Sequence, residues 1–234
     1  MPVAVVPVLL LVVLAVAAVV VLRRGGGAVT PGGELHYLAL GDSYTIGTAL
    51  GADKSFPPRL AKHLEAATGK RVGVVNLGVN GYTTDNLIRD ELPHLHDAHW
   101  DLVTVLIGVN DYVQGRSEGQ YRTSLRRIYD ELRQAGLPHG RVIAVSIPDF
   151  SFTEAGSSFG QPAEIEAGLR RFNVVNREEA DRAGLPFVDI FEVSRSGIGR
   201  PGWVAGDGLH PGEPQLQAWA DHIWEQSRAA LTAP

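Results

Sequence analysis

From Glu34 onward, short apolar runs alternate with segments whose apolar residues recur at helical spacing. LHYLAL (Leu35–Leu40) ends at Gly41 and predicts a first strand. Between Phe56 and Thr68, the residues Leu60, His63, Leu64 and Ala67 share a helical face, and Gly69 stops the segment. RVGVVNL (Arg71–Leu77) predicts a second strand, and Thr84 to Leu92 a short helix, capped by Thr83 or Thr84 and stopped by Pro93. DLVTVLI (Asp101–Ile107) is the most β-branched stretch and predicts the central strand. Ser117 opens a helix whose apolar face carries Leu125, Ile128, Tyr129 and Leu132 and which ends by Gly136. RVIAVSI (Arg141–Ile147) predicts a fourth strand closed by Pro148, and PFVDI (Pro186–Ile190) a fifth. A helix is predicted between them, from Pro162 to Ala183, and a last one from Pro214 to Leu231 that buries Leu216, Trp219 and Ile223.

Five apolar strands alternating with helices imply an α/β domain with a five-stranded parallel sheet covered on both faces. Right-handed crossovers turn this into a three-layer α/β/α sandwich of flavodoxin-like kind. In such a sheet ligands bind at the carboxyl ends of the strands. Each candidate motif is therefore judged by whether it falls there.

The pattern changes before Glu34. Val3 to Leu22 carries no charge and is long enough to cross a bilayer. Residues 1–24 are read as a single transmembrane anchor; Ala15-Val16-Ala17 leaves a cleavable signal peptide as the alternative. GGGAVTPGG (25–33) is a flexible tether, and residues 34–234 form the one folded domain. Arg23 and Arg24 would hold their end of the span in the cytoplasm by the positive-inside rule. The domain is nonetheless expected on the extracytoplasmic side.

Composition narrows the function. A formal net charge of -5 gives no footprint for nucleic acid. Arg122, Arg126 and Arg127 cluster, but acidic neighbours at helical spacing mark them as a solvated helix face. The absence of cysteine removes disulfides, thiolate catalysis and cysteine-bound zinc. His94, His96 and His99 lack the helical spacing of a metal site, and GTALGADKS (47–55) fails the phosphate-loop pattern because Asp53 separates its glycines from Lys54.

Four segments fall at the predicted carboxyl edge. Gly41-Asp42-Ser43 follows the first strand, where unpaired N–H groups at a helix start can hold an oxyanion; a simple capping serine is the alternative. Asp207-Gly208-Leu209-His210-Pro211 precedes the last helix. A serine needs a base to take its proton, and a histidine base needs a partner on its other nitrogen. The spacing lets Asp207 fold back on His210 within one turn. Gly78-Val79-Asn80-Gly81 follows the second strand and Gly108-Val109-Asn110-Asp111 the third, offering turns with free N–H groups and an Asn amide donor. Asp42 and Asp111 are read as braces of their own turns, and Trp203 as either a wall of the acyl pocket or packing beneath it.

Together GDSYT, NLGVNG, GVND and DGLHP resemble the four blocks of the SGNH (GDSL-type) hydrolase family, and the likeness runs from about Leu35 to the C-terminus. The resemblance implies Ser43 as nucleophile, with Asp207 and His210 completing the triad. It implies an oxyanion hole of the Ser43 N–H, the Gly81 N–H and the Asn110 side chain, with Gly78 as a rival to Gly81. Tyr44 stands where the family commonly has an apolar residue; with Tyr82 and Tyr112, which also adjoin the blocks, it is expected to bind substrate. The implied reaction is hydrolysis of a small-molecule carboxylic ester through an acyl-enzyme, with no metal or organic cofactor. An O-acyltransferase or glycan deacetylase would use the same triad, and an inactive binding module would share only the fold. A deacetylase needs a broad polar cleft and a lysophospholipase an apolar groove. DFSFTEAGSSFG (Asp149–Gly160) is the expected determinant.

Overall fold

The computed structural model describes residues 33–137 and 140–232. Strands β1 (Glu34–Gly41), β2 (Arg71–Asn76), β3 (Leu102–Leu106), β4 (Val142–Val145) and β5 (Phe187–Val188) form one sheet. All neighbours are parallel, in the order β2-β1-β3-β4-β5. Every residue of β3 and β4 is buried, which explains their unbroken apolar sequences. The edge strand β2 is mostly half-buried, and β5 keeps only two paired residues of the predicted five. The order reverses beside β1, so that edge of the sheet is a topological switch point, where α/β sheets open a crevice.

The helices are α1 (Ser43–Ile46), α2 (Phe56–Thr68), α3 (Thr84–Asp90), α4 (Val109–Val113), α5 (Glu118–Gln134), α6 (Pro162–Ala183), α7 (Phe191–Arg195) and α8 (Glu213–Leu231). α2 packs with α8 in one layer, and α5 packs with α3 and α6 in the other. The helix predicted to reach Leu92 stops at Asp90, and the chain continues as a 3-10 turn over Leu92–His96, with Pro93 in its first turn. α1, α4 and α7 are too short to show a periodic pattern, and only α1 is signalled, by the Gly41-Asp42-Ser43 turn.

The predicted membrane span and nearly all of the tether lie outside the described residues. Among those described, no helix is long and apolar enough to cross a membrane.

The Arg122/Arg126/Arg127 cluster is more than a solvated face. Arg127 does pair along its own helix with Glu131, at 3.0 Å. Arg122 and Arg126, however, reach across to Glu179 on α6 at 3.1 and 2.9 Å, and Arg182 reaches it at 2.6 Å. Glu179 is almost fully buried. Burial alone would raise its pKa, but the three arginines outweigh it and hold the carboxyl at about 2. The pair thus clamps α5 to α6 with an acid that stays charged.

Glu179→Gln is expected to destabilise the fold by about 1–3 kcal/mol, because the arginines left behind are partly exposed and can rehydrate. The contribution of Glu179 is complete above its ordinary pKa of 4.5 and is lost as the pH falls toward 2. Urea unfolding of both proteins at pH 7 and pH 3 checks this: the gap between them should narrow at the lower pH.

Candidate active site

β1 ends at Gly41 and the chain turns at once into α1, with Asp42 as N-cap. Asp42 Oδ1 accepts the Tyr44 N–H at 3.0 Å, and its carbonyl accepts those of Thr45 and Ile46 at 3.1 and 3.0 Å. Ser43 is the first helical residue, and its N–H has no partner among the described residues. Gly41 has φ +151°, and a Cβ there would sit 2.2 Å from the Leu106 carbonyl oxygen. The approach of β1 to β3 at this point therefore requires glycine.

Asn76, at the end of β2, braces the Ser43 turn. Its amide donates to the Thr45 carbonyl at 2.7 Å, and its oxygen accepts the Gly78 N–H at 3.1 Å. That bond separates the two candidate glycines. Gly78 N–H is occupied, and a Cβ on Gly78 would meet Ile46 N at 2.7 Å and Asp42 O at 2.8 Å, so this glycine serves close packing. Gly81 has φ +79°, lines the cleft beside Ser43, and its N–H has no partner among the described residues.

Asn110 lies in α4, beyond Gly108 at φ +127°. One of its amide hydrogens goes to the Tyr82 carbonyl, with a nitrogen to oxygen distance of 3.0 Å. The amide has a second hydrogen, and the same side chain faces the cleft. Asp111, next along, accepts the N–H and hydroxyl of Thr84 at 2.9 and 2.6 Å, joining α4 to the start of α3. Asp42 thus braces its own turn, whereas Asp111 ties α4 to the start of α3.

Asp207 wraps around His210. Its Oδ2 is 2.6 Å from Nδ1 of the ring, while Oδ1 accepts the N–H groups of Leu209 and His210, each at 3.0 Å. Gly208, at φ +72°, makes that tight fold possible. The loop is closed below by Ala205 N–H on the His210 carbonyl and Gly212 N–H on that of Trp203, both at 2.8 Å. Trp203 is buried beneath the loop, its indole N–H held by the Ser194 carbonyl at 2.6 Å. The Tyr44 ring meets His210 edge-on at 6.0 Å and Trp219 at 5.8 Å, which backs the imidazole with a fixed aromatic wall.

Ser43, Gly81, Asn110 and His210 line one cavity of about 230 Å³. Tyr44 lines it too; Tyr82 and Tyr112 are not among its lining residues. Tyr82 contributes its carbonyl to Asn110 instead. Tyr112 is two residues past Asn110 on α4 and so points elsewhere, with its ring on Phe172 at 5.6 Å. The cavity's apolar lining is formed by Val109, Val113, Phe150, Phe159 and Leu209; Phe150 and Phe159 fall in the predicted Asp149–Gly160 segment, whereas sequence reasoning missed Val109, Val113 and Leu209.

A model of the GDSL-like Lipase/Acylhydrolase family matches residues 39–215. The chain belongs to that family. It is accordingly a carboxylic ester hydrolase of GDSL type. No curated protein matches it. Among solved structures, the hydrolase resembles TesA at 22% identity, covering 82% of this chain and 97% of that one, with a TM-score of 0.65. The lipase/acylhydrolase from Enterococcus faecalis is similar at 20% identity, with 84% and 96% covered and a TM-score of 0.66. An acetyl-xylooligosaccharide esterase from Geobacillus is similar at 18% identity, with 83% and 94% covered and a TM-score of 0.65. At these identities the likeness is one of fold.

The acids around the GDSL turn differ in charge. Burial pushes the Asp42 carboxyl up to about 8; the Tyr44 N–H opposes this and Asp111 adds to it. Burial likewise raises Glu91 well above the carboxylate range, although Glu91 accepts the Gly41 N–H at 2.8 Å. Asp207 is the opposite case. Burial works against its charge, but the Leu209 N–H and the His210 ring and N–H together hold it below the ordinary value. The partner of His210 is thus ionised near neutral pH.

The Asp42 carboxyl titrates at about 8 in the folded hydrolase and near 3.8 when unexposed to such burial, so the stability linked to it is complete below about pH 4 and is lost as pH rises through 8. Asp42→Asn keeps a capping oxygen and removes the titration. Its urea midpoint is expected to fall less between pH 5 and pH 8 than that of the unaltered protein; an equal fall in both would contradict the assignment.

Proposed function

We propose that this family member is a serine esterase in which Ser43 is the nucleophile, His210 the base and Asp207 the group that orients it. The observation that carries the reading is the convergence on one cleft of Ser43, two N–H groups without partners among the described residues and an Asn amide with one hydrogen to spare, beside a histidine gripped by a carboxylate. Attack by Ser43 Oγ on an ester carbonyl sends the hydroxyl proton to His210 Nε2 while Asp207 holds Nδ1–H. Negative charge gathers on the former carbonyl oxygen, which the Ser43 N–H, the Gly81 N–H and the Asn110 amide receive. His210 then protonates the leaving alcohol as the C–O bond breaks. Water, deprotonated by the same His210, attacks the acyl-enzyme, releases the carboxylic acid and restores Ser43.

The apolar lining favours an ester with an apolar acyl part over the broad polar cleft that a glycan deacetylase requires. We also propose that residues 1–24 anchor the enzyme to a membrane, with the catalytic domain outside the cytoplasm. The uncharged run from Val3 to Leu22 supports the anchor, and the side rests on the family resemblance alone.

Ser43→Ala is expected to abolish hydrolysis of p-nitrophenyl esters without altering the fold; substantial turnover by the purified variant sinks the assignment. Asn110→Ala should lower kcat by about 10²–10³-fold, the usual effect of removing one oxyanion donor, with a much smaller change in KM. An effect confined to KM would contradict its role. For the anchor, the full chain should stay with membranes after carbonate extraction, and release into the soluble fraction would contradict it.

A further inference from the structure

The cleft has two unlike parts. Thr48 and Asn80, joined by a hydrogen bond from the threonine hydroxyl to the Asn80 side-chain oxygen, supply its polar rim. The remainder is apolar and begins beside the oxyanion donor. Val113 is three residues past Asn110 on α4, so the two side chains share a helical face, and both line the cavity. The apolar wall nearest the Asn110 amide is therefore Val113.

Phe159 closes the apolar part from a different segment. Its ring is 45% exposed and meets the buried Phe150 edge-on at 5.7 Å. The base of this segment is fixed. Thr153 Oγ1 donates to the Phe150 carbonyl at 2.7 Å and accepts the Gly156 N–H at 3.1 Å, and the Ala155 N–H ties it to the Gly208 carbonyl of the His210 loop at 3.0 Å. Phe159 thus stands at the end of an anchored segment, an aromatic ring left in water at the mouth of the site. Val113, 36% exposed, lines the same cleft. Large exposed apolar side chains gathered at one concave site mark a surface that a ligand covers.

We propose that the acyl chain of the substrate lies between Val113 and Phe159, that chains of six to eight carbons fit best, and that Phe159 sets this length. The inference rests on the esterase reading of Ser43. The cavity of about 230 Å³ must also take the ester group and is bounded by the Thr48/Asn80 rim, which leaves room for a medium-length acyl chain and not for a long one. Acetyl leaves the apolar wall uncovered, and a dodecanoyl chain overruns Phe159.

The test is the specificity profile of the full-length protein in one fixed detergent, on p-nitrophenyl esters from acetyl to dodecanoyl. The unaltered enzyme should show kcat/KM at least tenfold higher for hexanoyl or octanoyl than for acetyl, with a decline at dodecanoyl. Phe159→Ala should reduce the octanoyl-to-acetyl ratio at least fivefold, chiefly through KM, and Phe159→Trp should move the optimum to shorter chains. A flat or acetyl-preferring profile that is lost in Ser43→Ala overturns the acyl-length proposal and leaves the esterase reading standing. So does a ratio unmoved by both Phe159 variants. Absence of Ser43-dependent turnover at every chain length overturns both.

Discussion

A parallel sheet consumes its backbone hydrogen bonds between strands, and at its carboxyl edge each emerging N–H must find a new partner or go without. In this hydrolase the choice is made residue by residue. Gly41 N–H goes to Glu91, Tyr44 N–H to Asp42 and Gly78 N–H to Asn76, while those of Ser43 and Gly81 have no partner among the described residues. Donors kept free yet immobile are what a developing oxyanion needs, since they cost no reorganisation when charge appears. The immobility comes from the neighbours. Asn76 grips the Thr45 carbonyl, Asp111 holds the start of α3, and the Tyr82 carbonyl fixes the plane of the Asn110 amide.

Electrostatics follow from the same arrangement. Asp42 and Glu91 are buried close to the Ser43 turn, where ionised carboxylates would oppose the proposed oxyanion. Burial keeps their protons on instead. Asp207 sits in the one position where negative charge is useful, and three donors from its own loop hold it ionised. Carboxyl groups thus take opposite charge states: burial decides for Asp42 and Glu91, and the donors of its own loop decide for Asp207.

Much of this was legible in the chain. Uninterrupted apolar runs announced β1, β3 and β4; Ser117 and Gly184 mark the helix boundaries at which α5 begins and α6 ends. The Asp207 to His210 spacing foretold their contact. What escaped was decided by contacts distant in sequence. Gly78 and Gly81 are equivalent until the Asn76 bond removes one from contention. Arg122 reads as a surface charge until Glu179, far along the chain, is folded against it. Tyr112 adjoins a site residue in sequence, but two residues along a helix turn it to another face. The apolar lining joins α4, the segment after β4 and the His210 loop, and no local pattern reveals that these converge.

The central claim is that Ser43 is the activated nucleophile of this cleft. It is tested most directly by treating the full-length hydrolase with a fluorophosphonate, whose fluoride a serine oxygen displaces, and mapping the adduct by peptide mass spectrometry. The account predicts a single phosphonylated residue, Ser43, formed in step with the loss of esterase activity and suppressed in His210→Ala. Label on another residue, or complete inactivation with Ser43 unmodified, would contradict it.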